Sequence, residues 1–139
     1  MQRLKTRAQF QAVLGGAIIA KTPHFALHRN RLDARSTAVQ AEKSIETVEV
    51  APLFRQQDMW IGAMVPKRWA KRAVTRNAIK RQIYAVSADF YCVYPHAAFV
   101  VRLRSSFAKT EFISAASEQL RQAVRSEIQI LMDAGAKAV

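Results

Sequence analysis

A chain of 139 residues with 22 Lys and Arg against 10 Asp and Glu, a net charge of +12, needs a polyanion to neutralise it, and nucleic acid is the default partner. Half of its residues are hydrophobic, with only four Gly and four Pro; this excludes disorder by composition and fits one domain, residues 1–139, with a modest core. Its single cysteine, Cys92, excludes an intramolecular disulfide and a multi-cysteine zinc site and reads as a small buried hydrophobe in a reducing compartment, and no apolar run reaches the roughly 18 residues a membrane span requires.

Thr6-x-x-Gln9 is a capping box, and Phe10, Val13 and Leu14 follow at helical spacing until Gly15-Gly16. The pattern predicts a first helix of about ten residues. Arg3, Lys5 and Arg7 ahead of the apolar run from Val13 to Ala20 mimic a signal peptide, but Gln9 and Gln11 interrupt it and a helix accounts for the same residues. Pro23 then precedes a strand from His24 to Arg29, with Phe25 and Leu27 on one face and Ala26 and His28 on the other. On a strand, His24 and His28 point at no shared metal. Residues 33–58 hold five of the ten acids (Asp33, Glu42, Glu46, Glu49, Asp58) against three bases (Arg35, Lys43, Arg55). This segment reads as a long, acidic, flexible connection inside a hairpin, with a short strand at Ile45 to Val50, and its acidity argues against direct RNA contact.

Trp60 to Val65 is an apolar run of strand length stopped by Pro66, which cannot donate to a ladder. From Met64 to Tyr84 there are seven bases and no acid, the nearest acids being Asp58 and Asp89. From about Ala73 the period becomes helical, and Ile79, Ile83, Val86 and Phe90 form one narrow apolar stripe. Arg76, Asn77, Lys80 and Arg81 fan over the remaining surface, so that one side of this helix can dock on a sheet while the other meets phosphates. A merely solvated basic face would carry interspersed acids, which are missing.

Pro95 punctuates before Ala97 to Arg104, where Phe99, Val101 and Leu103 alternate with Val100, Arg102 and Arg104. A last helix opens at Thr110 and Glu111, buries Ile113, Ala116, Leu120, Val124 and Leu131, and ends at Gly135. The order α-β-β-α-β-α is of the α+β class, two layers with helices against a small sheet. No carboxylate pair sits in the basic region and no acid–base constellation has a local signature, so no catalytic residue and no metal ligand is assigned.

The segment V-P-K-R-W-A-K-R-A-V-T-R-N-A-I-K-R resembles the signature of the protein subunit of bacterial ribonuclease P, a strand ending in V-x-K-K, a short basic loop and a helix carrying R-N-R-x-K-R. Val65, Lys67, Arg68, Arg72, Ala73, Arg76, Asn77, Ile79, Lys80 and Arg81 match in register. Ala78 departs, standing where the family usually has the second arginine of R-N-R. Position 78 lies off the apolar stripe, so an arginine there is expected to be tolerated and to add a phosphate contact if it faces RNA.

The resemblance implies a ribosomal-protein-like fold with a left-handed βαβ crossover, and a non-catalytic protein component of a ribonucleoprotein endoribonuclease that removes the 5′ leader of precursor tRNA. Its RNA subunit would be the catalyst and would hold most of the Mg²⁺. Lys67, Arg68, Lys71, Arg72, Arg76, Asn77, Lys80 and Arg81 would then bind the RNA subunit. Phe10, Leu14 and His28, with Arg102 and Arg104 beyond, would line a cleft for the leader, stacking on unpaired bases. The partners implied are the catalytic RNA and precursor tRNA, in the cytoplasm, with no membrane and no small-molecule substrate. Two rival readings are a ribosomal or general RNA-binding structural protein, and a helix-turn-helix DNA binder. The second fits poorly because strands bracket the basic helix.

Overall fold

A computed structural model of the chain describes residues 1–32, 54, 58–106 and 118–138. In chain order it places β1 (Gln2–Arg3), α1 (Arg7–Leu14), β2 (Ala17–Lys21), β3 (Phe25–Asn30), β4 (Trp60–Met64), α2 (Ala73–Asp89), β5 (Ala98–Leu103) and α3 (Glu118–Ala138). The capping box is formed as the sequence predicts. The Gln9 amide donates to Thr6 Oγ1 at 3.2 Å, and Gln9 Oε1 accepts from the Thr6 amide at 3.1 Å and the Lys5 amide at 2.7 Å. The helix ends at Gly15 as the sequence predicts, with eight residues where about ten were expected, and the chain turns there straight into β2. At Gly16 a Cβ would lie 2.2 Å from the Arg29 carbonyl oxygen, so only glycine lets the run Ala17–Lys21 close onto β3 as an edge strand.

The five strands are ordered β1-β4-β5-β3-β2. β4 and β5 are parallel and joined through α2, while β5, β3 and β2 pair antiparallel. The expected hairpin between β3 and β4 is therefore not formed, because β5 lies between them. The α+β class and the succession α-β-β-α-β-α are present with two strands added, and the sheet carries helices on both faces. On one face Phe25, Leu27, Ile61, Phe99, Val101 and Leu103 are covered by Ile79, Ile83 and Val86 of α2 and by Leu120, Val124, Ile128, Leu131 and Met132 of α3. On the other, Trp60, Ala98 and Val100 meet Val13 of α1 together with Leu4 and Phe54.

Gly135 does not end α3, which continues to Ala138. Instead a Cβ there would meet Leu27 Cδ2 at 2.5 Å, so the glycine admits close approach of helix to sheet. Glu127, on the same helix, accepts from Thr22 Oγ1 at 2.6 Å and from the His24 amide at 2.7 Å, and its second oxygen lies 2.8 Å from His24 Nδ1. One carboxylate thus fixes the β2–β3 turn to α3. Cys92, expected to be buried, is exposed, because α2 has ended and the chain runs over the surface in the turn before β5. The expected strand at Ile45–Val50, the helix start at Thr110 with Ile113 and Ala116, and most of the acidic connection lie outside the described residues.

Candidate nucleic-acid interface

After β4 the chain makes a tight turn in which the Pro66 carbonyl accepts from the Trp69 and Ala70 amides, both at 3.1 Å. Ala70 is buried and Trp69 packs partly buried against the larger core. The residues before and after them, Lys67, Arg68, Lys71 and Arg72, are exposed. The loop therefore alternates anchors with charges, and the Arg68 guanidinium lies 5.2 Å from the Trp69 ring centroid, within cation–π range. On α2, Asn77 and Arg81 are exposed on the arc opposite Ile79 and Ile83, and Lys80 is exposed at the edge of that arc. Among the described residues none of these cations has a carboxylate within ion-pair distance. Unpaired and clustered, they create a positive field that favours phosphate.

Two residues of this segment behave differently from expectation. Arg76 is half-buried, and its Nη1 donates to the carbonyls of Ala70 at 3.0 Å and Lys71 at 2.8 Å. Ala78 is only 7% exposed, so an arginine there would not simply reach into solvent. Residues 78, 79, 83, 86 and 87 are all buried, an arc of about half the helix circumference at roughly 100° per residue, and position 78 lies at its edge. A single stripe was too narrow a description for a helix that packs on α3 and β4 together.

Strand register builds the second surface, on the α1 side of the sheet. One cross-strand row runs Gly62, Val100, His28, Ile18, and the next runs Met64, Arg102, Ala26, Lys21. Phe10 stands directly over the first row, since a Cβ on Gly62 would lie 2.6 Å from Phe10 Cε1 and 2.9 Å from Cζ. Leu14 flanks the same apolar cluster. Arg102 Nε–H donates to His28 Nε2 at 3.1 Å. Phe10, Leu14, His28 and Arg102 thus lie together on this face of the sheet. Arg104 lies past the end of β5, where its amide donates to the His24 carbonyl and its Nε to that of Thr22.

His28, however, is 5% exposed, so its ring is covered on this face of the sheet and offers no free face for stacking. Burial holds its pKa below the ordinary value, and the charges of Arg102 and Lys21 push the same way. The imidazole is accordingly neutral at pH 7, with Nε2 as acceptor and its hydrogen on Nδ1, a buried atom without a partner among the described residues. Met64, Ile18 and Lys21 are additions to the cleft. Met64 was within reach of the sequence, because Trp60, Gly62 and Met64 alternate on one face of β4. Ile18 and Lys21 were not, since the sequence reading assigned no strand to residues 17–21.

The two surfaces meet at the end of β4, where Met64 closes the cleft row and Lys67 opens the basic loop three residues later. Together they offer an apolar floor rimmed by Arg102 and Lys21, and beside it a loop and helix of unpaired cations. Among the described residues no three His, Cys, Asp or Glu side chains converge to hold a metal ion.

Residues 1–129 match the family profile described as Ribonuclease P. The ribonuclease P protein component of Nostoc punctiforme is 30% identical over 135 residues, covering 87% of this chain and 90% of that protein. The corresponding component of Burkholderia mallei is 32% identical over 83 residues, 60% of this chain and 61% of that protein. Among solved structures, the Staphylococcus aureus RNase P protein superposes with a TM-score of 0.60 at 17% identity, over 96% of this chain and 94% of that one.

Proposed function

This chain belongs to the ribonuclease P protein family, and we propose on that premise that it is the protein subunit of a ribonucleoprotein endoribonuclease that matures the 5′ end of tRNA. In this reading it is a single RNA-binding domain acting in the cytoplasm. The observation that carries the reading is the unpaired basic surface from Lys67 to Arg81 lying beside the sheet face that carries Phe10, Leu14, His28 and Arg102. Lys67, Arg68, Lys71, Arg72, Lys80 and Arg81 meet the phosphates of a catalytic RNA. Asn77, which has both a donor and an acceptor, is free to meet a base edge or a ribose. The cleft takes the single-stranded leader, with Phe10 for stacking and Arg102 and Lys21 for its phosphates.

The protein contributes binding and position. Both surfaces present nitrogen donors and apolar groups, which do not fit a Mg²⁺ site, because that ion takes oxygen ligands. Magnesium would be held by RNA oxygens, where it supplies Lewis-acid chemistry to the hydrolysis. The chain's cations reduce repulsion between the RNA subunit and its substrate, so that less Mg²⁺ is needed for the two to associate.

The deciding experiment is cleavage of a precursor tRNA by the RNA subunit, with and without this protein, across a Mg²⁺ series. The protein alone should cleave nothing, and the pair should turn over at Mg²⁺ levels too low for the RNA by itself. If the protein binds RNA but gives no such stimulation, it is a general RNA-binding structural protein. Site-specific cleavage by RNA-free protein would also overturn the proposal.

A further inference from the structure

We propose that Arg76, within the basic motif, is a positioning residue for the RNA-facing loop and not one of its phosphate contacts. The inference rests on the RNA-binding role proposed above and adds a division of labour among its cations. On the helical projection, at about 100° per residue, Arg76 falls between Ile83 and Ser87, both buried, about 40° inside the exposed Lys80 and well round from Asn77 and Arg81. Its side chain turns back along the helix N-terminus, and Nη1 donates to two consecutive carbonyls of the preceding loop, Ala70 and Lys71.

The loop needs such a tie. Lys67, Arg68, Lys71 and Arg72 are exposed within six residues of one another, and like charges so close drive the backbone apart unless it is held. The α2 N-cap is Arg72, whose side chain makes no capping hydrogen bond, so the helix start supplies no restraint of its own. Ala70 and Trp69 anchor the loop from the apolar side, and Arg76 holds it from the polar side. A cation in this place adds charge-assisted bonds to the carbonyls. It thereby holds the four outward charges in one geometry before RNA arrives, which lowers the ordering cost of binding.

Three variants test this in the full chain: Arg76→Ala, Arg76→Lys and, as a contact on the exposed arc, Lys80→Ala. In the free protein, amide hydrogen exchange of residues 67–72 should quicken about tenfold or more in Arg76→Ala, which loses the charge-assisted hydrogen bonds to both carbonyls. Arg76→Lys should fall between, and exchange in Lys80→Ala and in the β3–β5 pair of every variant should be unchanged. In filter binding to the RNA subunit over a salt series, Arg76→Ala should weaken binding at every salt concentration along a line parallel to wild type. Lys80→Ala should lower the log–log slope by roughly 0.7–0.9. Loop exchange at the wild-type rate in Arg76→Ala overturns the proposal, as does a slope reduced as in Lys80→Ala. Failure of wild-type protein to bind the RNA would defeat the functional reading but leave the exchange result to stand or fall alone.

Discussion

Replacing Gly62 by alanine tests whether the cleft floor has the geometry described. The new Cβ would lie 2.6 Å from Phe10 Cε1, 2.8 Å from Leu4 Cδ1 and 2.9 Å from Phe10 Cζ, whereas carbon atoms rest at about 3.5–4 Å. Leu4 can swing a flexible methyl away, but the Phe10 ring must rise by roughly 1 Å. It cannot do so freely, because α1 is fixed at its start by the Thr6–Gln9 box and along its length by Asn30 Nδ2 donating to the Ala12 carbonyl at 2.8 Å. Overpacking of this kind costs about 1–3 kcal/mol. The lower backbone entropy of unfolded alanine returns about 0.5–1 kcal/mol. A net loss of about 1–2 kcal/mol is expected, read as a fall in the urea midpoint at constant slope. In a Phe10→Ala background the same methyl enters vacated space and should cost nothing, so the two changes should be strongly non-additive. Binding of precursor tRNA to the assembled holoenzyme should weaken in Gly62→Ala, while mature tRNA, which lacks the leader, should bind as before. Equal destabilisation with and without the Phe10 ring would refute the reasoning, and so would equal losses for the two RNAs.

Ala78→Arg should destabilise the fold by about 1–3 kcal/mol, since position 78 is buried; thermal melts of the two proteins decide it, and an unchanged midpoint would restore the view that 78 faces outward. Removing the shared acceptor with Glu127→Ala should cost about 1–3 kcal/mol, because Thr22 Oγ1 and the His24 amide lose their partner together; chemical denaturation measures it, and a loss under a few tenths would show the β2–β3 turn to be held elsewhere. His28 has its pKa lowered from an ordinary 6.5, so its contribution to stability is complete above that value and is lost as the pH falls below it towards the folded-state pKa. Stability measured between about pH 7 and 5 should therefore decline with acid, and the slope should flatten in His28→Gln; identical slopes would show that His28 does not titrate between the two states.

The sequence alone determined those features whose physics is local. The Thr6–Gln9 box, the alternation of Phe99, Val101 and Leu103, and the change of period after Pro66 each depend on a few neighbours in the chain. So does the sign of the field from Lys67 to Arg81, because seven cations without an intervening acid remain a positive patch however the chain folds. The candidate partner was legible for that reason, and Phe10 and Arg102 with it through resemblance. What depends on non-local pairing was decided by tertiary structure. The apolar run Ala17–Ala20 is too short for its period to separate helix from strand, and it became β2 only because Gly16 lets it approach Arg29. The insertion of β5 between β3 and β4 follows from which apolar faces can be covered together by α2 and α3, which no single segment encodes. His28 alternates like a cleft residue yet lies beneath the surface with Arg102 bonded to it. Ala78 and Arg76 sit on the same helix as Lys80, but the width of the buried arc is set by how many neighbours the helix has. A sequence displays periodicity, whereas burial is a property of what packs against it, and that difference separates the exposed cations of the motif from Arg76, which bonds their loop.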